Sequence, residues 1–210
     1  MISLLKIWIY IYVYAHSIGR TMKKYILILM IGLLSSVVFA APFGFTMGMT
    51  LKEIAKKCEG KVEHLEDDIY LVKPIKSHPS FTQYNVYVDK KKGLYGIKAA
   101  TPIMKVNPYG TEIKGEFRSM KDRISKTYGE PKTIDKIDPN SIFTDDKYWM
   151  YTLNEGARHL VALWKNDSLA DNLIYVGLGC IADSPYSAHL LLEYNFKNSQ
   201  NVEDDQDSVF

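Results

Sequence analysis

LIYVGLGCIADSPYSAHLLLEYNF, residues 173–196, is the stretch whose reading decides the fold. Its first part, Leu173 to Ala182, is an apolar run with branched and aromatic members, the pattern of a buried strand, and Gly177 and Gly179 leave room for another element to approach closely. Its last part, His189 to Phe196, alternates. Leu190, Leu192, Tyr194 and Phe196 fall on one face and Glu193 and Asn195 on the other, as in a sheet with one solvated side. Asp183, Ser184 and Pro185 between them are turn residues.

Upstream, the same grammar repeats. Tyr148 to Leu153, the turn Asn154-Glu155-Gly156 and Arg158 to Trp164 read as a β-hairpin, preceded by a polar linker around Asp138-Pro139-Asn140. An earlier hairpin joins Tyr84–Val88 to Leu94–Ala100 across Asp89–Gly93, and Ile69 to Val72 is a short strand. Two helices complete the set. Thr50-Leu51-Lys52-Glu53 fits a capping box, followed by Leu51, Ile54, Ala55 and Cys58 on one face and a stop at Gly60. The second follows Asn107-Pro108-Tyr109-Gly110, with Ile113, Phe117, Met120, Ile124 and Tyr128 at helical spacing and Gly129 and Pro131 at its end. The expected fold class is therefore α+β, two helices packed on antiparallel β-sheet. Thr50 and Thr111, Tyr84 and Tyr148, and Gly93 and Gly156 stand 61, 64 and 63 residues apart, which suggests a duplicated helix plus β-hairpin unit.

Residues 1–40 read as an upstream extension and a signal peptide. Met22-Lys23-Lys24, an apolar run from Tyr25 to Ala41 and the small-residue site Val38-Phe39-Ala40 form an export signal, with Met22 as the start and cleavage near Ala40. A membrane anchor is the other reading of so short a run, but Pro42 and Gly44 follow it where a basic stop-transfer cluster belongs. No Cys adjoins the cleavage point, so a lipid anchor there is excluded. The expected location is periplasmic or secreted, with membrane contact only through the signal segment. Residues 41–198 form a single domain, and 199–210 an acidic tail carrying Glu203, Asp204, Asp205 and Asp207.

Removal of the leader takes away Lys6, Arg20, Lys23 and Lys24 and no acid, so 26 basic residues become 22 against 24 acidic ones. No basic stripe remains, Lys90-Lys91-Lys92 being a hairpin tip, which argues against nucleic acid as a partner. The two cysteines, Cys58 and Cys180, are even in number in an oxidising compartment, and a structural disulfide is the expectation. It would close a long loop and stabilise by about 4–5 kcal/mol.

Gly48-Met49-Thr50-Leu51 opening a helix, Gly129-Glu130-Pro131 closing one, and Trp149-x-Tyr151 beyond it resemble pieces of the small bacterial outer-membrane assembly domains of the SmpA/BamE kind. The resemblance implies a non-enzymatic interaction module that binds protein. Here the opening and the ending stand on different helices, and the family's lipid-bearing Cys is missing.

No chemistry is spelled out elsewhere. His64, His78, His159 and His189 show no metal-ligand spacing, and His64 among Glu63, Glu66, Asp67 and Asp68 lacks the calcium-loop pattern, so neither metal nor cofactor is expected. Ser184 beside Asp183, with His189 and His159 near, is the best nucleophile set, but it lacks Gly-x-Ser-x-Gly and an oxyanion loop. The aromatics say more. Tyr84, Tyr87, Tyr95, Trp149 and Tyr151 fall on both faces of their expected strands, which offers an exposed aromatic surface for a protein or glycan of the cell envelope. The functional expectation is a binding protein, with a periplasmic hydrolase or a secreted inhibitor of a foreign enzyme as alternatives.

Overall fold

The computed structural model describes residues 41–165 and 169–199. Residues 1–40, read above as an extension and export signal, and the acidic tail from 200 onward lie outside the described residues. The chain runs α1 (Leu51–Ala55), β1 (Glu63–Glu66), β2 (Ile69–Val72), β3 (Gln83–Asp89), β4 (Gly93–Ala100), β5 (Met104–Lys105), α2 (Thr111–Tyr128), β6 (Lys132–Ile137), α3 (Trp149–Asn154), β7 (Arg158–Trp164), β8 (Leu173–Ser184) and β9 (Ser187–Phe196).

Nine strands form one antiparallel sheet in the order β1-β2-β3-β4-β9-β8-β7-β6, with β5 paired to β9. The expectation of two helices packed on antiparallel sheet is thereby corrected: the described residues are dominated by the sheet, and among them three short helices serve it. The central event is the decisive stretch itself. β8 and β9 pair from Leu173↔Phe196 to Ser184↔Ser187, and β9 then joins β4 from Gly96↔Asn195 to Ala100↔Leu191. Two meanders, β1 to β4 and β6 to β9, thus meet at the β4/β9 seam.

Alternation along each strand separates the faces. Val86, Ile97, Tyr194, Val176 and Trp164 lie side by side across five strands, and all are buried. α2 and α3 cover this inner face, α2 over β8 and β9 and α3 over β7 and β8. α2 buries Ile113, Phe117, Met120 and Ile124, the helical stripe read from the sequence. Its C-terminal Gly129 carbonyl accepts a 2.8 Å hydrogen bond from the Trp164 indole, which ties the helix end to β7. α1 is shorter than its periodicity implied, ending at Ala55, but its capping box is formed: Thr50 N–H donates to Glu53 Oε2 at 2.8 Å.

The expected second hairpin does not exist. Tyr148 to Leu153, read as a strand, is a 3-10 turn followed by α3, and β7 pairs instead with β6, from Lys132↔Leu163 to Ile137↔Arg158, in the segment read as a polar linker. Aromatic strand propensity is overruled by packing: Trp149, Met150 and Leu153 sit at helical spacing and are all buried. Trp149 lies against Gly110, where φ is +66° and no side chain stands in the way of the indole. With that strand gone, the constant offsets that suggested a duplicated unit matched a strand to a helix.

The Cys58–Cys180 disulfide is also overturned, since both cysteines are free and buried. Cys58 forms an isolated bridge with Pro74, just past the end of β2, and Cys180 is on the inner face of β8. β2 and β8 are four positions apart in the sheet, which at the usual spacing is about 19 Å. A disulfide needs Cα atoms within about 7 Å. Burial pushes both thiols up, Cys180 to about 12, so they are inert, protonated packing groups.

Candidate functional site

The five aromatics singled out in the sequence are not brought together. Tyr84 is 3% exposed, and its hydroxyl donates to the His78 carbonyl at 3.0 Å while accepting from the His78 N–H at 2.9 Å. Trp149 is 1% exposed, with Lys114 Nζ 4.2 Å and the Arg158 guanidinium 5.7 Å from its ring. Both are core residues. Tyr151 lies on the exposed side of α3, edge-on to Phe143 at 4.9 Å. Only Tyr87 and Tyr95 stand together on the sheet, rings 6.0 Å apart on its outer face.

That outer face is the side away from α2 and α3. Asn85, Lys98, Glu193, Gly177 and Leu163 form one row across it by register. Beside them run Ala100, Leu191, Gly179 and Val161. The side chains are half-buried, and Ile181 is 41% exposed. Gly177 and Gly179 make a recess in it. On this face the Tyr175 ring leans beside Gly177, its Cε2 3.8 Å from where a Cβ would stand, and Val161 Cγ2 lies 3.9 Å from the corresponding point at Gly179. The polar members bind one another: Tyr175 Oη donates to Glu193 Oε1 at 3.0 Å, and Lys98 Nζ stands 3.9 Å from the same oxygen and 5.1 Å from the Tyr87 ring centre. The surface is apolar to aromatic and crossed by one internally paired polar row.

The nucleophile set at the β8–β9 turn is half assembled. His189 Nδ1 is 2.9 Å from Asp183 Oδ2, an orienting contact of the kind a general base needs. Ser184 Oγ, however, is 2.7 Å from Ser187 Oγ and accepts from the Tyr186 N–H at 3.2 Å. No hydrogen bond links Ser184 to His189 or His159 among the described residues, and His159 is placed opposite Lys136 on the β6 side. Nor do the described residues contain a metal-ligand cluster.

A cavity of about 380 Å³ opens on the inner side, between the Pro42–Gly44 turn, residues 76–81, the second half of α2 and β9. Phe43, Phe81, Met120, Ile124 and Leu192 give it an apolar wall, Tyr128 and Tyr194 its polar end, and Lys76 and Arg123 stand exposed at the mouth. Phe43 has φ +54°, left-handed backbone that L-residues avoid, and its ring packs edge-on against Phe81, Tyr84 and Tyr194 at 6.0, 4.9 and 5.8 Å. The Tyr128 and Tyr194 hydroxyls interact with each other, and burial, reinforced by the Asp171 carboxylate, holds both protonated: Tyr128 is pushed up to about 12 and Tyr194 higher still. Sequence reasoning missed this site because its walls come from four separated segments. The one local signal, Met120, Ile124 and Tyr128 on one face of α2, reads equally as core.

No family model, no curated protein and no solved structure matches the chain.

Proposed function

We propose that the chain is an exported, non-enzymatic interaction protein that docks a protein of the cell envelope on the outer face of its sheet. The observation that carries this reading is the face itself: a nine-stranded sheet covered by helices on one side and, among the described residues, by none on the other. Leu191, Val161, Leu163 and Ile181, with the Tyr87–Tyr95 pair, supply the large, low-entropy apolar groups that anchor protein interfaces, and the Lys98–Glu193–Tyr175 row supplies orientation. Export is supported by Lys23-Lys24, the apolar run and the small residues before Ala41.

The test is site-specific photocrosslinking of the full chain in its native envelope, with the probe at Leu191 or Ile181 and a control probe at Asp122 on exposed α2. The reading expects one and the same protein captured from both sheet positions, none from Asp122, and loss of capture in Leu191→Asp. Mass spectrometry of the purified product should place its N-terminus near Ala41. Equal capture from all three positions sinks the docking face. Hydrolysis of a model ester that disappears in Ser184→Ala and His189→Ala would replace it with the hydrolase reading that Asp183 and His189 favour.

A further inference from the structure

The cavity on the inner side has a chemistry that the sheet face lacks. Its described lining contains no Asp or Glu, yet two cations, Lys76 and Arg123, stand at its mouth and form no ion pair among the described residues. Behind them the wall is apolar and aromatic, and the inner end holds a tyrosine pair whose hydroxyls stay protonated at every physiological pH. Both line the cavity, Tyr194 buried and Tyr128 half-buried. A bare inorganic anion would satisfy the mouth and leave the wall empty, whereas a neutral apolar molecule would fill the wall and leave both cations unused. Phe43 is kept in left-handed backbone at this wall and nowhere relieved by glycine, the kind of local strain that persists where the surrounding packing fixes a side chain for a purpose.

We infer that this cavity binds a small amphiphilic carboxylate, its head between Lys76 and Arg123 and its apolar body along Phe43, Phe81, Met120, Ile124 and Leu192. The volume of about 380 Å³ lies at the lower end of the range for small-molecule pockets, so the ligand class is a medium-chain fatty acid or an aryl carboxylate and not a two-chain lipid. Asp171, which acts on the two tyrosines through space, is not part of the lining. The site is independent of the docking face, because Leu192 and Tyr194 point inward from β9 where Leu191 and Glu193 point outward.

Isothermal titration of the purified full chain with decanoate, decanol and decyltrimethylammonium tests it. Decanoate should bind saturably at one site. Decanol should bind about tenfold more weakly and the cationic amphiphile not at all, and Arg123→Gln and Lys76→Gln should each weaken decanoate about fivefold, the scale of an exposed ion pair. Met120→Trp, which fills the cavity, should remove binding, while Leu191→Asp should leave it unchanged even though it disrupts partner capture. Absence of saturation below about 1 mM overturns the inference. So does equal binding of decanol, or full affinity in both charge variants, which are surface changes that leave the fold intact.

Discussion

Replacing Gly110 with Ala tests the contact on which the corrected architecture turns. Gly110 holds φ +66°, and a Cβ there would press on Trp149 Cε3 and lie 2.5 Å from Cζ3. Left-handed backbone costs an L-residue about 1–2 kcal/mol. Forcing an extra methyl into a filled core adds about 1–3 kcal/mol. Trp149 has little freedom to retreat, being 1% exposed and flanked by Lys114 and Arg158. The expected loss is therefore about 2–5 kcal/mol, a large part of the about 5–15 kcal/mol that holds a domain together. Urea unfolding followed by circular dichroism measures it without relying on the perturbed indole. The decisive step is a cycle with Trp149→Leu: in that background the steric part should vanish, leaving about 1–2 kcal/mol for the backbone alone. A loss below about 1 kcal/mol, or the same loss in both backgrounds, would show that the indole is not seated on Gly110 and would restore Trp149 to the surface.

Three further outcomes follow from the same geometry. Intact mass should show both thiols reduced after aerobic purification, with labelling by a thiol reagent only on unfolding and a melting temperature indifferent to reductant; a product two hydrogens lighter than the free-thiol mass would refute the separation of Cys58 from Cys180. The raised tyrosines make stability fall in alkali. The folded state binds their protons more tightly than the unfolded chain does, so their contribution is complete below the unfolded value of about 10 and is lost as pH climbs through about 12 for Tyr128 and beyond for Tyr194. Cys180 titrates in the same direction, so thermal melts from pH 8 to 12 are best compared in a Cys180→Ala background, where Tyr128→Phe and Tyr194→Phe should each flatten the decline; unchanged slopes would contradict the burial of that pair. Thr50→Ala removes the hydroxyl half of the α1 capping box and should destabilise by about 1 kcal/mol, with a shift under a few tenths meaning that the short helix is held by Ile54 alone.

How far the sequence carried the fold depended on whether a segment's own pattern agreed with its surroundings. β8, β9, β3, β4 and α2 were legible because each has one face against the core, and burial prints the period of 2 or 3.6 onto the residues. β1 and β6 carried no such print. All four residues of Glu63–Glu66 are exposed, and Lys132–Ile137 is nearly so, because edge strands are held by backbone pairing and kept charged against further pairing. α3 was misread for the opposite reason: Tyr148, Trp149 and Tyr151 favour strand by type, but six residues are too few for helical period to declare itself. The cysteines misled through arithmetic alone, since an even count says nothing about distance across a sheet.

The two candidate surfaces share a strand, and this makes their separation a matter of register. β9 presents Leu190, Leu192, Tyr194 and Phe196 inward, two of which wall the cavity, and His189, Leu191 and Glu193 outward, where they meet Ile181, Gly179 and Gly177 of β8. A slip of one residue would exchange the sets and destroy both. The fold guards against this with the β8–β9 hairpin, the longest pairing in the sheet, and with Thr101, whose hydroxyl accepts from the Leu190 N–H at 2.9 Å while its own N–H donates to the Leu190 carbonyl at 3.0 Å. Thr101 therefore pins β9 from the β4 side at the residue where inward and outward sets begin. A face that must present apolar rows without collapsing onto its own core needs its register held from both neighbours, and β9 is the strand so held.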